Sequence, residues 1–213
     1  VDSLKIRWPD GTSQVLRNVP TDTLLTGRPE NLRPFEDASL QPAETVLFKK
    51  LEGGLGIAFT HREDKYTDFN REKLLPYSLA DRGPAFARGD LDGDGREDLF
   101  FGGSKRIPSE IFVQRDTGFV KVQMPGIQAD SIQEEVAAVI ADFDGNKRKD
   151  LIVGSGGADF YGAAEPLLDA SYQNLPSGFQ KGKLPENFAN TSVLRPFDFD
   201  GDGDDDLFAG VYL

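Results

Sequence analysis

The chain has no cysteine, and only one histidine, one methionine and one tryptophan in 213 residues. Without cysteine there is neither a disulfide framework nor a thiolate metal site. The sequence also lacks an H-E-x-x-H pair, a G-x-S-x-G nucleophile turn and a phosphate-binding glycine loop, so the common hydrolase and nucleotide signatures are missing. Positive charge is scarce: 24 Lys and Arg stand against 36 Asp and Glu, for a formal charge of −12. That balance disfavours nucleic acid and anionic membranes as partners. No apolar run is long enough to span a bilayer or to read as a signal peptide, so membrane insertion is not expected. The first residue is Val1 rather than Met, and a processed or excised chain is the expectation.

What is abundant points to β-structure. Glycine (23), proline (13) and phenylalanine (16) together suggest short strands broken by frequent turns. With 28% charged and 38% hydrophobic residues, the chain is balanced for a folded domain with a real core.

One stretch carries the chemistry. Residues 89–103 read GDLDGDGREDLFFGG, which places Asp90, Asp92, Asp94 and Asp98 within nine positions. Carboxylates so close repel, by roughly 4 kcal/mol per pair at about 4 Å and an effective dielectric of 20. The pattern returns at Asp142 as DFDGNKRKDLIVG and at Asp198 as DFDGDGDDDLFAG, at intervals of 52 and 56 residues. The flanks repeat too. AFARG, AAVIA and VLRPF precede the three loops, and Gln114–Phe119 is answered by Asn174–Phe179. Each unit therefore predicts a strand, an acidic loop, a second strand, a spacer and a hairpin such as IFVQRDTGFVKV. Four strands on a period near 50 residues is the pattern of a propeller blade.

The shared pattern is D-x-D-G-[DN]-x-x-x-D. Positions 1, 3, 5 and 9 offer side-chain oxygens, and the position-7 carbonyl lies between them. The donors are Asp90, Asp92, Asp94 and Asp98 with the Arg96 carbonyl; Asp142, Asp144, Asn146 and Asp150 with the Arg148 carbonyl; and Asp198, Asp200, Asp202 and Asp206 with the Asp204 carbonyl. Hard, mostly anionic oxygen donors suit Ca²⁺, whereas Mg²⁺ demands stricter octahedral geometry. An EF-hand needs a Glu at position 12 and a helix after it. Position 12 is Phe101, Val153 and Ala209, followed by strand-type residues, so position 9 is expected to supply the bidentate ligand instead. Up to three structural Ca²⁺ ions follow, and three would halve the formal charge. The second loop is expected to bind most weakly, because Asn146 removes a charge and Lys147 replaces the glycine at position 6.

These loops resemble the FG-GAP (VCBS) repeats of integrin alpha-chain β-propellers and of bacterial surface proteins. That resemblance implies a Ca²⁺ between the first two strands of each blade. The opening VDSLKIRWPDGTSQVLRNVP resembles the ASPIC/UnbV segment that accompanies such repeats. Read physically, Leu4, Ile6 and Trp8 alternate, Pro9-Asp10-Gly11 turn, and Val15 and Leu16 return. Residues 47–69 also look like the lead-in to such propellers. The expected organisation is an ASPIC/UnbV-like β segment over 1–35, a linker over 36–45, and a propeller fragment over 46–213 with repeats starting near 84, 136 and 192. The fold class is all-β: a partial propeller of four-stranded blades with calcium loops, plus a small N-terminal β segment. Unless residues 46–83 form an irregular blade, closure needs further blades from a parent chain or another copy.

The functional expectation is an exported or cell-surface binding or adhesion module, outside the cytoplasm, that recognises a protein or a glycan. The alternatives are a calcium-dependent polysaccharide-cleaving enzyme and a structural spacer. For the enzyme, His61 and the cluster Asp64, Tyr66 and Asp68 are the only candidates. His61 otherwise reads as a packed structural histidine, Trp8 as a hairpin core aromatic, and Asp64–Asp68 as a solvated loop.

Overall fold

A computed structural model describes residues 2–34, 48, 50–71, 73–74, 76–80, 82–129, 131–157 and 159–212. The chain divides into two compact units, residues 1–50 and 51–213. The linker expected at 36–45 lies outside the described residues.

The first unit is built on a hairpin of β1 (Ser3–Arg7) and β2 (Thr12–Arg17), with a short third strand, β3 (Arg33–Pro34), on β2. The turn falls where Pro9-Asp10-Gly11 predicts it. The Gly11 N–H donates to the Trp8 carbonyl, and one Asp10 carboxylate oxygen accepts both the N–H and the hydroxyl of Thr12. Trp8 and Ile6 lie against Gly27, which has no side chain to hold them off. Trp8 is thus a packed aromatic of the hairpin.

The second unit is all-β. One sheet runs β4 (Phe86–Gly89), β5 (Asp98–Phe101), β6 (Glu110–Arg115), β7 (Gly118–Val122), each strand antiparallel to the next. A one-turn helix, α1 (Pro125–Gln128), leads to a second sheet of the same order: β8 (Glu135–Ala141), β9 (Asp150–Ser155), β10 (Ala170–Leu175), β11 (Gly178–Lys181). A two-stranded sheet of β12 (Asn190–Phe197) and β13 (Asp206–Tyr212) follows. These are two four-stranded blades and half of a third, as the repeat predicts. First strands lie side by side, with β8 against both β4 and β12.

The middle blade shows why its second strand reads as an unbroken apolar run. Every residue of β9 is buried. Leu151 and Val153 enter a cluster with Phe100 and Ile111 of the first blade, while Ile152 faces Val139 and Leu194 on the other side. A strand covered on both faces has no polar face to alternate with. Burying each such side chain contributes about 1.5–3 kcal/mol. By contrast β10, nearer the rim, alternates: Ala170, Tyr172 and Asn174 are buried and their neighbours only half so.

The described part of residues 46–83 contains no strand. Among the described residues from 48 to 85 the only regular element is a 3-10 turn at Asp68–Asn70. Instead the carbonyl of Leu55 accepts the Phe119 N–H of β7, so this lead-in covers the outer edge of the first blade. An outer strand left bare would offer its N–H and C=O groups to another chain.

Candidate metal loops

The three acidic loops occupy the same place in successive sheets, between first and second strand: β4 and β5, β8 and β9, β12 and β13. Each is built by its own aspartates. In the first, Asp90 at position 1 accepts the N–H groups of Gly93, Asp94 and Gly95 at 2.6, 3.1 and 2.8 Å. Asp94 at position 5 accepts the Arg96 N–H at 2.9 Å. In the second, Asp142 accepts from Asn146 and Lys147, and Asn146 from Arg148. In the third, Asp198 accepts from Gly201 and Gly203, and Asp202 from Asp204. These short-range bonds are what makes Asp favourable in turns. They fix the position-7 residues Arg96, Arg148 and Asp204, whose carbonyls the sequence reading assigns as donors.

Curling the loops this way brings carboxylates together. Asp90, Asp92 and Asp94 form one group, Asp142, Asp144 and Asp150 a second, and Asp198, Asp200 and Asp206 a third; within each, one oxygen per residue lies within 4.8 Å of the others. Each group could hold a metal ion. Asp98 and Asp202 stand outside the groups of their loops.

Position 9 has a task that the residue pattern alone did not reveal. Asp98 is fully buried; one oxygen accepts the Leu91 N–H at 2.9 Å and the other the Gln114 N–H at 2.8 Å. Asp150 repeats this with Phe143 and Asn174 at 3.2 and 2.7 Å. The carboxylate thus staples the loop to the third strand of its blade. Burial pushes both carboxyls above the usual range, against the pull of those N–H donors. Among the described residues Asp206 accepts the Phe199 N–H, at 2.8 Å, with no counterpart of the third-strand bond.

Two residues escaped the sequence reading. Asn174 donates its N–H to Asp150 and its amide to the carbonyls of Leu91 and Lys149, so it ties the first loop to the second blade. Arg115 reaches back from the end of β6 to Asp92 at 2.8 Å and Asp94 at 3.1 Å. The signal for both was the matched pair of hairpins, Gln114–Phe119 and Asn174–Phe179, whose first residues sit under the position-9 aspartates.

Comparison with known families agrees with this geometry. Residues 90–153, from the first loop through the strand after the second, match the model for the FG-GAP-like repeat. Residues 1–32 match the ASPIC and UnbV model. The two matches cover separate stretches of the chain. A search of the curated proteins returned no match. The FG-GAP-like stretch therefore contains two of the three loops, and the third repeats their residue pattern, their carboxylate group and the hydrogen bonds of their position-1 and position-9 aspartates.

Outside the acidic loops, His61 contacts Glu63 through Nε2 and lies with its side chain 19% exposed, as a packed histidine would. The neighbouring acids are not one solvated loop. Asp68 is buried, with one oxygen accepting from the Ser78 hydroxyl and the N–H groups of Leu79 and Ala80. Asp64 accepts the Tyr66 N–H and lies 3.6 Å from the Lys105 ammonium. Nearby, burial and the repulsion of Glu63, Asp64 and Asp159 push the Glu134 carboxyl up to about 8. Among the described residues no helix is long and apolar enough to cross a membrane.

Proposed function

We propose that this chain is the calcium-stabilised propeller portion of an exported or cell-surface binding protein, and that it binds a protein or glycan rather than transforming one. The observation that carries this reading is the recurrence, at one equivalent place in three successive sheets, of three carboxylates drawn within 4.8 Å of one another. Such groups repel unless a cation lies among them. Their oxygens are hard and anionic, which suits Ca²⁺ at 6–8 ligands and about 2.3–2.6 Å. Asp90, Asp92 and Asp94, Asp142, Asp144 and Asp150, and Asp198, Asp200 and Asp206 would hold the ions.

Bound there, calcium supplies charge neutralisation and rigidity. It joins the end of one strand to the start of the next, the role that disulfides take in many secreted domains and that this cysteine-free chain cannot use. Extracellular modules work at about 10⁻⁴–10⁻³ M calcium affinity, where the ion is abundant. The FG-GAP and ASPIC/UnbV matches support the same compartment.

The test is calorimetric titration of Ca²⁺ into EDTA-stripped protein, paired with thermal melts of both forms. Two or three sites at or tighter than that range, with a raised melting temperature, are expected. At a hundredfold excess over Kd, each site adds about 2.7 kcal/mol to stability. No heat and no stabilisation would leave three acidic turns and withdraw the calcium reading.

A further inference from the structure

Position 7 is an arginine in the first and second acidic loops, and the two blades answer it differently. In the first blade the Arg96 guanidinium pairs at 2.8 Å with Asp116, in the turn between β6 and β7. In the second, the matching hairpin Asn174–Phe179 has Pro176 where Asp116 stands and Leu175 where Arg115 stands. Arg148 therefore faces a turn without charge. Its Nε donates to the Asn174 Oδ1 at 3.3 Å, and among the described residues its two terminal nitrogens have no partner. The arginines around the first loop all have a carboxylate: besides Arg96, Arg88 pairs with Glu97 and Arg115 with Asp92 and Asp94.

Arg148 and the uncharged turn line a cavity of about 410 Å³ between the two blades. That volume falls in the roughly 300–1,000 Å³ range of ligand pockets. Met124 lines it from the link between the blades, and Leu175, Pro176 and Phe179 line it from the second blade. Asn174 also borders the cavity and is only 4% exposed. Its backbone N–H donates to Asp150, and its amide donates to the carbonyls of Leu91 and Lys149. A side chain fixed so firmly holds the guanidinium at the cavity instead of leaving it to roam in solvent.

We propose that this cavity binds the C-terminal residue of a partner polypeptide, with the free carboxylate on Arg148 and an apolar side chain against Met124, Leu175 and Phe179. The inference rests on the reading of this chain as a binding module, and names where and what it binds. Asp116 shows, within the same chain, that a carboxylate is what a position-7 arginine takes at this point of the blade. The planar guanidinium suits such a group, because two of its N–H donors can meet both oxygens at once. The apolar lining then selects among carboxylates. An acidic sugar is polar on nearly every side and would leave hydroxyls unpaired against leucine and phenylalanine. An internal Asp or Glu brings the charge without the apolar group. A chain terminus carries both on one carbon.

The experiment follows the fluorescence anisotropy of a labelled Gly-Ser-Gly-Ser-Leu peptide, as the free acid or as the C-terminal amide, on the full chain in excess Ca²⁺. The acid should bind at least about tenfold more tightly than the amide, the scale of a hydrogen-bonded charge. Arg148→Gln should remove that preference. Pro176→Asp, which gives Arg148 the internal carboxylate that Arg96 already has, should lower the acid to the affinity of the amide. Pro176→Asn, the neutral counterpart of that change, should keep the preference and so shows that the turn still folds. The site is overturned if the acid does not bind, if acid and amide bind equally to the parent, or if the preference survives Arg148→Gln in folded protein. Displacement of the peptide by glucuronate at equal concentration would overturn the occupant. Calcium binding by the parent chain is read separately by the calorimetry above, so a failed peptide alone leaves the propeller reading standing.

Discussion

The first and second acidic loops share a frame and differ in how their charge is answered. Both hang from a position-1 aspartate and are stapled by a buried position-9 aspartate to the third strand of the blade. In the first loop two of the three grouped carboxylates, Asp92 and Asp94, are already paired with Arg115. The hairpin position corresponding to Arg115 in the second blade is Leu175, and Arg148 turns instead to the Asn174 side chain, at 3.3 Å. The second loop carries fewer acids and an unfavourable Lys147, yet among the described residues no guanidinium pairs with its group. Counting charges within a loop therefore does not rank the sites; the side chain arriving from the neighbouring hairpin must be counted too.

The largest effect should come from what the loops share. Asp98→Ala and Asp150→Ala each strand two backbone donors, one in the loop and one in the third strand. With those N–H groups left unpaired, each variant should lose about 2–5 kcal/mol in denaturant unfolding, even in EDTA. Asp206→Ala removes the acceptor of a single, exposed N–H and should cost about 1 kcal/mol. If Asp98→Ala and Asp150→Ala destabilise only the calcium-loaded protein, position 9 is a ligand and not a staple, and the shared frame is misread.

The next effect separates the loops. Arg115→Leu leaves the first loop with Leu175's counterpart and frees Asp92 and Asp94. Calcium should bind that loop several-fold more tightly, with the second loop unchanged, and the difference should shrink as salt rises. An unchanged first site would mean that Arg115 swings aside at no cost. That outcome would restore the ranking expected from loop composition, in which the first and third sites lead.

Much of this frame was legible beforehand. Three copies of one spacing fixed the loops, the strands beside them and the four-strand unit, because Asp-rich turns and strand alternation are local properties. The staple was not legible. Asp98 and Asp150 look like further ligands in the pattern, and only the fold shows that their oxygens meet Gln114 and Asn174, 16 and 24 residues on. Arg115 was hidden for the same reason: its partners lie more than 20 residues back along the chain. Residues 61–68 misled differently. A run of polar side chains reads as solvated until the fold buries Asp68.

The smallest predicted effect belongs to one residue that the sequence did single out. Lys147 takes φ +66°, the left-handed conformation that Gly95 (+84°) and Gly203 (+97°) adopt at the same position. A residue with a Cβ pays roughly 1–2 kcal/mol there, and glycine returns part of that through its freer unfolded chain. Lys147→Gly should therefore stabilise the metal-free protein by about 0.5–1 kcal/mol. It should also tighten the second calcium site, since a cation leaves its border. Lys147→Gln separates the two causes: it removes the charge and keeps the strain, so it should improve calcium affinity without raising the metal-free melting temperature. Gly95→Ala, the reverse change in the first loop, should cost stability there. Should Lys147→Gly and Lys147→Gln prove equal in both readouts, backbone conformation plays no part in the difference between the loops, and charge alone accounts for it.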